Sequence, residues 1–494
     1  MLRLSFPRRF FSPQACGSSG DTRPVAAVLL GSVLLSLLAF SQTTLVGRDA
    51  ALYLDVARQV LEQDASVAFR AFDWPWFSLL LAATSKVFGL PLETAAHLWC
   101  TLFVAGTSAL LVAVTLRFSP DCNYWAALVV LSLPAFNQFR GDIIREHGSW
   151  FFCVLALHLA LRWLARGGWW RAAAIQAAIG LAALFRLEAL VLMPALAASL
   201  LGELHTRQGW MRLLQLNALP LAVGLAAGLA LVSGTDIWQP RIAGFAAVID
   251  PRALLLSLDE MANLFAKIIL EYHSKEDARQ ILVFGLLLTL LVKFCALNGP
   301  LCVPLLYRAN WRAVSEYWRR LRPFAWTWLL YLCVLLIFFI KFRFINSRYT
   351  SFLNLLVVPL LTMALMMFCR SHPRWSPVAV FVLLMFMLAN TVSRGPGKTH
   401  FLDAAAWLAE HTKAEDRVYY EDARIAYYAG RGYPRTDMTA RQVMAGADAG
   451  GFRYYVLTHR PDEVTLQTWL AKERKQVVQQ FRNARGETIL VIGE

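Results

Sequence analysis

Long apolar runs alternate with short polar clusters along most of this chain. In order they fall at about 25–45, 95–117, 122–138, 148–165, 171–185, 188–204, 214–232, 280–307, 324–341, 349–369 and 376–393. Several reach the roughly 20 residues that cross a hydrocarbon core as helix. Lipid offers no partner to an open strand edge, so helices are the expected form. The pattern predicts a polytopic α-helical membrane protein with about eleven transmembrane helices. One further run, 76–90, is short, is interrupted by Lys86 and follows Asp73 and Pro75.

Beyond residue 394 the pattern changes. Phe401, Ala404, Ala405 and Leu408 share one face of an amphipathic helix over 400–411. The stretches 417–420 and 454–458 alternate as strands. The stretches 476–481 and 488–492 flank a turn at Asn483-Ala484-Arg485-Gly486 and read as a hairpin. A small C-terminal α/β domain over 395–494 is expected. It carries no Gly-rich phosphate loop and no metal-ligand spacing.

Composition agrees with membrane burial. Of 494 residues, 57% are hydrophobic and 16% charged, against roughly 25% charged in soluble proteins. The net charge of +15 has a topological use, since Lys and Arg hold cytoplasmic loops and meet anionic headgroups. No basic face lies on a soluble module, which argues against nucleic acid as a partner. The eight cysteines lie mostly in or beside apolar runs, form no CxxC, and read as small buried apolar residues.

The basic clusters orient the chain. Arg162, Arg166 and Arg171 form one, and Arg207 and Arg212 a second. Arg308, Arg312, Arg319, Arg320 and Arg322 form the strongest, and Arg370 and Arg374 the last. With eleven spans and a cytoplasmic N-terminal segment 1–24, holding Arg3, Arg8 and Arg9, all fall inside. The run 25–45 is longer than a signal-peptide core and is read as an uncleaved first span. Counting 76–90 as a span breaks the agreement, so it is read as a helix on the outer surface. The transmembrane domain then covers 25–394, with outer loops at 46–94, 139–147 and 233–279. The C-terminal domain is outside.

Titratable residues converge on that outer side. Asp49 follows the first span at the start of a helix whose Leu52, Val56, Val60 and Leu61 share a face; a helix cap is the bland alternative. The loop 139–147 holds Asp142, Glu146 and His147, with Asp142 and Glu146 four apart on one face. Two carboxylates from two loops suit a general base and a divalent-cation site. The alternative is helix-start acids favoured by the macrodipole, with Arg140 and Arg145 as partners. Lys341, Arg343 and Arg348 defy the orientation rule, and a guanidinium binds phosphate with paired hydrogen bonds; snorkelling is the alternative. Arg186 and Glu188 interrupt an apolar hairpin, where ionisable groups are functional or pair with each other. His273 and Lys275 are weaker candidates.

Five stretches, in order, resemble the GT-C membrane glycosyltransferases, in particular the bacterial branch of lipid A aminoarabinose transferase and protein O-mannosyltransferases (glycosyltransferase 39-like). They are Arg48-Asp49-Ala50-Ala51-Leu52-Tyr53; Trp74-Pro75-Trp76-Phe77 with Lys86-Val87-Phe88-Gly89-Leu90; Arg145-Glu146-His147; Gly180 to Glu188; and Ser347-Arg348-Tyr349. Ala426-Tyr427-Tyr428-Ala429-Gly430-Arg431 is similar to part of the small outer domain of such proteins. The resemblance implies a bacterial inner-membrane enzyme of lipopolysaccharide or another envelope glycan. It would move a hexosyl or pentosyl unit from a polyprenyl phosphate to a lipid, glycan or protein on the periplasmic side, with inversion. Asp49 matches the first-loop acid, Glu146 or Asp142 the second, and Arg343 and Arg348 would hold the donor phosphate. Many relatives carry Asp-Glu where this chain has Asp49-Ala50, one carboxylate fewer for a Mg or Mn ion held by Asp49 and Glu146.

Two other classes stand beside this one. A flippase or transporter for a lipid-linked glycan should show broken or charged helices near the midplane, often in repeated halves. Here charges gather at run ends, apart from Lys293, and no repeat is evident. A scaffold working through its C-terminal domain is the other alternative.

Overall fold

The structure is a computed structural model. It describes residues 22–232, 250–392, 397–413, 415–434, 438–446, 451–458 and 463–493, together with Gly244 and Val248. The N-terminal arginines and most of 233–249 lie outside the described residues.

The chain is a multi-pass membrane protein. Among the described residues six helices are long and apolar enough to cross a bilayer: Arg23–Ser41, Leu92–Phe118, Glu146–Arg166, Ala278–Leu306, Arg322–Phe342 and Pro373–Thr391. Ser347–Leu356 and Val358–Ser371 make a seventh if counted together, bent by 60°. Pro359 explains the bend, because it lacks an N–H and crowds the preceding turn. Of the remaining four expected runs, three are shorter or interrupted and one lies within a long helix. The run 122–138 divides into Asn123–Ser132 and Pro134–Asn137 at another proline. The run 171–185 is the 17-residue helix Trp169–Phe185. The run 188–204 breaks into short turns around Leu192–Ala198. The run 214–232 lies within Arg207–Val232.

The bundle is apolar on its outside and small inside. Arg23–Ser41 exposes Leu29, Leu30, Leu34 and Leu37 while burying Val28, Ser32, Ser36 and Ala39. Small residues let helices approach closely in lipid, and Ser32 and Ser108 hydrogen-bond across that contact at 3.3 Å. The run 76–90 forms Trp76–Phe88, 13 residues. At 1.5 Å per residue it spans roughly 20 Å, too little for a hydrocarbon core. It packs on Arg48–Glu62 and exposes Val87 and Phe88, as an interfacial helix does.

The ends of the bundle differ in charge. At one end Glu203 takes Arg212 at 2.6 Å and Arg322. Arg212 also donates to the Leu164 carbonyl at 2.9 Å, and Arg370 meets Asp121 at 3.4 Å. At the other end lie Asp49, Asp142, Glu146 and Arg348, and against it the C-terminal domain.

That domain is a four-stranded sheet in the order β1 (Val418–Tyr420), β2 (Tyr454–Leu457), β4 (Thr488–Gly493), β3 (Gln476–Arg482). The β1–β2 pair is parallel and the others antiparallel. The helix Thr399–His411 and all four strands agree with the sequence pattern. The expected turn is closed by Asn483 Oδ1, which accepts from Arg485 N and Glu487 N, both at 3.0 Å, with Gly486 at φ 81°. The domain docks through Tyr428 Oη, which accepts from Val46 N at 3.1 Å, and through Asp422, which takes Arg48 at 3.2 Å.

Candidate functional site

Gly47, rather than Asp49, is the N-cap of Arg48–Glu62, and no side chain caps that end. The capping reading of Asp49 is thereby corrected. Its carboxylate accepts from Arg348 Nη1 at 2.7 Å, across 299 residues of sequence. Arg348 is held from behind, because Asn346 caps its helix and accepts from the Arg348 backbone N–H at 3.1 Å. The candidate acid of the first loop and one of the candidate phosphate ligands are therefore one pair.

Glu146 opens the helix Glu146–Arg166 and is 4% exposed. Its Oε1 accepts from Arg186 Nη1 at 2.6 Å, and Arg186 Nη2 donates to Glu188 Oε1 at 2.6 Å. The break after Phe185 is what presents Arg186 here, and its guanidinium lies over the Tyr349 ring at 4.5 Å. One arginine thus neutralises two carboxylates and stacks on an aromatic face, an arrangement suited to a planar cation. Glu146 Oε2 has no hydrogen-bond partner.

Asp142 is set differently. Among the described residues no ion pair reaches its carboxylate, which opens onto a cavity between the bundle and the C-terminal domain. The residue is exposed on the cavity side, and desolvation of the carboxyl where it meets the protein raises it to about 6; Arg348 opposes the rise, and Glu146 and Asp49 add to it. A carboxyl group at that value suits proton transfer near neutrality. Arg140, expected beside these acids, goes elsewhere. It is fully buried and donates to Asn137 Oδ1 at 2.7 Å and Ser32 Oγ at 2.8 Å, pinning the loop to the first helix. Arg145 lies over the Phe72 ring at 5.7 Å.

Two cavities meet this cluster. A narrow one of about 20 Å³, room for roughly one water, is lined by Glu146, Arg186, Glu188, Tyr331, Arg348 and Tyr349. A wider one of about 670 Å³ is lined by Asp142, Thr43, Gln138, Thr391, Lys398 and Arg424. Tyr331 was not singled out from sequence and carried no signal there; its Oη donates to the Tyr349 carbonyl at 3.1 Å.

The remaining candidates are placed apart. Arg343 meets Glu260 at 3.7 Å and is half exposed, and neither it nor Lys341 lines either cavity. Arg48 turns to Asp422. Tyr53 is buried against Phe72 and Phe77, and that burial pushes its hydroxyl upward. His147 is fully buried, with Nε2 on the Phe139 carbonyl at 3.0 Å. His273 and Lys275 are both exposed, on and just after a short turn, and neither lines either cavity.

A divalent cation fits these residues poorly. Among the described residues no three His, Cys, Asp or Glu side chains converge as a metal shell. Asp49 and Glu146 each already hold a guanidinium.

No family model matches the chain, and no curated protein does. Among solved structures it is similar to ArnT from Cupriavidus metallidurans bound to undecaprenyl phosphate, at 16% identity and TM-score 0.48, covering 96% of this chain and 98% of that one. It is similar also to ArnT from the same organism in the apo state, at 15% identity and TM-score 0.42, with the same coverage.

Proposed function

We propose that this protein transfers a sugar from a polyprenyl-phosphate donor to a lipid, glycan or protein acceptor at the periplasmic face of a bacterial inner membrane. The observation that carries the reading is the convergence of Asp49, Asp142, Glu146, Arg186 and Arg348 at one end of an apolar bundle, beside a cavity open to both the bundle and the C-terminal domain. A lipid-linked donor needs such a place, where a phosphate stays at headgroup depth and its tail remains in lipid.

The roles follow from the partners. Asp142 carries no guanidinium and is raised toward neutrality, so it takes the proton from the acceptor hydroxyl. The freed oxygen attacks the anomeric carbon from the face opposite the phosphate, and that carbon's bond to the phosphate oxygen breaks. The polyprenyl phosphate leaves with the bonding electrons, and the configuration inverts. Arg348 spends one donor on Asp49 and has others to meet the growing phosphate charge. Asp49 orients Arg348, and Glu146 with Glu188 orients Arg186. No step is routed through a metal.

The test is transfer by the purified protein in detergent, using radiolabelled undecaprenyl-phosphate sugars and a membrane extract as acceptor. Transfer by wild type and its loss in Asp142→Asn at equal expression supports the reading and the base. Full activity in Asp142→Asn returns the base to Asp49. A broad donor panel left unconsumed, with acceptor present, overturns the function.

A further inference from the structure

At the basic end of the bundle the helix Trp311–Arg320 joins two membrane helices, Ala278–Leu306 and Arg322–Phe342. The turn Arg308–Asn310 leads into it with helical backbone at Asn310, so 308–320 presents one helical surface. It is too short to cross a bilayer, and three stripes run along it. The buried stripe is Asn310, Ala313 and Tyr317. Asn310 Nδ2 donates to the Pro304 carbonyl at 2.7 Å and to the Ala364 carbonyl at 3.0 Å, and Tyr317 Oη donates to the Leu356 carbonyl at 3.0 Å. These bonds fix the roll of the helix, so the other two stripes face outward in set directions.

The second stripe is Tyr307, Trp311, Val314 and Trp318, at the spacing of one helix face. Trp311 is 65% exposed and Trp318 40%. The third stripe, Arg308, Arg312, Ser315 and Arg319, follows one position later and is exposed throughout, so it lies about 100° further round the helix. Water suits only the basic stripe and hydrocarbon only the aromatic one, and a helix lying in the headgroup plane serves both. Trp170, Trp210 and Trp375 are also exposed at this end, each within two residues of an arginine, and mark the same depth as an aromatic belt.

Protein leaves part of the charge on this surface uncompensated. The acids Glu203, Glu316 and Asp121 at this end are each already held by an arginine. Arg319 is committed to Glu316 at 2.7 Å. Among the described residues neither Arg308 nor Arg312 meets an acid. Four residues apart on a helix, their side chains start about 6 Å from each other. Two guanidiniums at that spacing can take one phosphodiester between them with paired N–H donors.

We propose that this surface binds an anionic phospholipid of the leaflet at the basic end, its phosphodiester held between Arg308 and Arg312 and its glycerol and upper chains against Trp311. A zwitterionic lipid brings its own cation to the same place and is held more weakly. The proposal does not rest on the transfer reading, and none of these residues has a role there, so failure of one leaves the other intact.

The experiment is native mass spectrometry of the full chain in neutral detergent, titrated with phosphatidylglycerol or with phosphatidylcholine of the same acyl chains. Phosphatidylglycerol should bind more tightly. Arg308→Gln combined with Arg312→Gln should weaken its binding about thirtyfold, at about fivefold for each arginine near a headgroup. Arg207→Gln combined with Arg374→Gln removes two other exposed arginines of the same end and should leave binding within about twofold. In nanodiscs, brominated phosphatidylglycerol should quench the fluorescence of wild type more than that of Trp311→Phe. Without lipid both double variants should melt with wild type, since all four side chains are exposed. Equal binding of the two lipids, equal losses in the two double variants, equal quenching in Trp311→Phe, or a much lower melting temperature for the first double variant overturns the proposal.

Discussion

At one end of the bundle a single acid lies between two arginines, and at the other a single arginine lies between two acids. Glu203 takes Arg212 and Arg322, whose side chains are 15% and 29% exposed. Arg186 takes Glu146 and Glu188, and all three side chains are 15% exposed or less. The first trio is part of a basic surface in partial contact with solvent, where ion pairs contribute little. The second is desolvated, carries an excess of acid, and sits beside Asp49 and Asp142. Charge at the basic end stays partly in contact with water. Charge in the proposed site is buried with partners that hold its geometry.

The largest effect should follow from breaking the buried trio. Arg186→Met leaves Glu146 and Glu188 facing each other without the guanidinium that bridges them, which costs about 3–5 kcal/mol, read as a lower melting temperature in detergent. A melting temperature within a degree of wild type would show that the trio is open to water after all.

Next comes the one carboxylate of the cluster that, among the described residues, pairs with no guanidinium. Asp142→Asn should lower transfer by about 10²–10⁴-fold at unchanged stability, the usual range for a general base. The sign of its pH dependence follows from protonation. The base acts when ionised, so with its value raised to about 6, kcat/KM should climb as pH rises through 6 and level off above. A pH profile of the wild type checks this; a flat profile between pH 5 and 7 would assign the proton to another group.

Docking of the C-terminal domain supplies a smaller effect. Asp422 is buried and accepts from Arg424 at 2.8 and 2.9 Å as well as from Arg48. Those partners hold its carboxyl below the usual range. Asp422→Asn should cost about 1.5–3 kcal/mol and speed proteolysis between the bundle and the domain. The smallest effect belongs to the basic end: Arg322→Ala should cost about 0–1 kcal/mol, because Glu203 keeps Arg212. Equal losses for Arg322→Ala and Arg186→Met would erase the contrast between the ends.

Much of this was legible in the sequence. Hydropathy located the apolar helices, and composition marked the C-terminal domain, with its helix and strands near their observed limits. Asp49 and Arg348 were each visible, one as an acid at a helix start, the other as a cation on the wrong side for orientation. Their pairing was not visible, since nothing local links residues 299 positions apart. Arg343 and Lys341 carried the same signal as Arg348, yet Arg343 meets Glu260 on another helix. Arg140 looked like a partner for nearby acids, and packing turned it into the first helix. Runs read as full spans, such as 122–138 and 188–204, proved broken, because total hydropathy does not register a proline at a helix joint.

The sequence by itself determined that the chain is embedded in a membrane, which ends of its helices are basic, and that a small α/β unit follows the apolar runs. These are sums over neighbouring residues, and transfer free energy and charge add along the chain. Only the tertiary structure decided which arginine serves which acid, and that among the described residues Asp142 alone of the clustered acids pairs with no guanidinium. An ion pair or an orphaned donor depends on ångström distances between helices and strands far apart in sequence, and packing alone sets those distances.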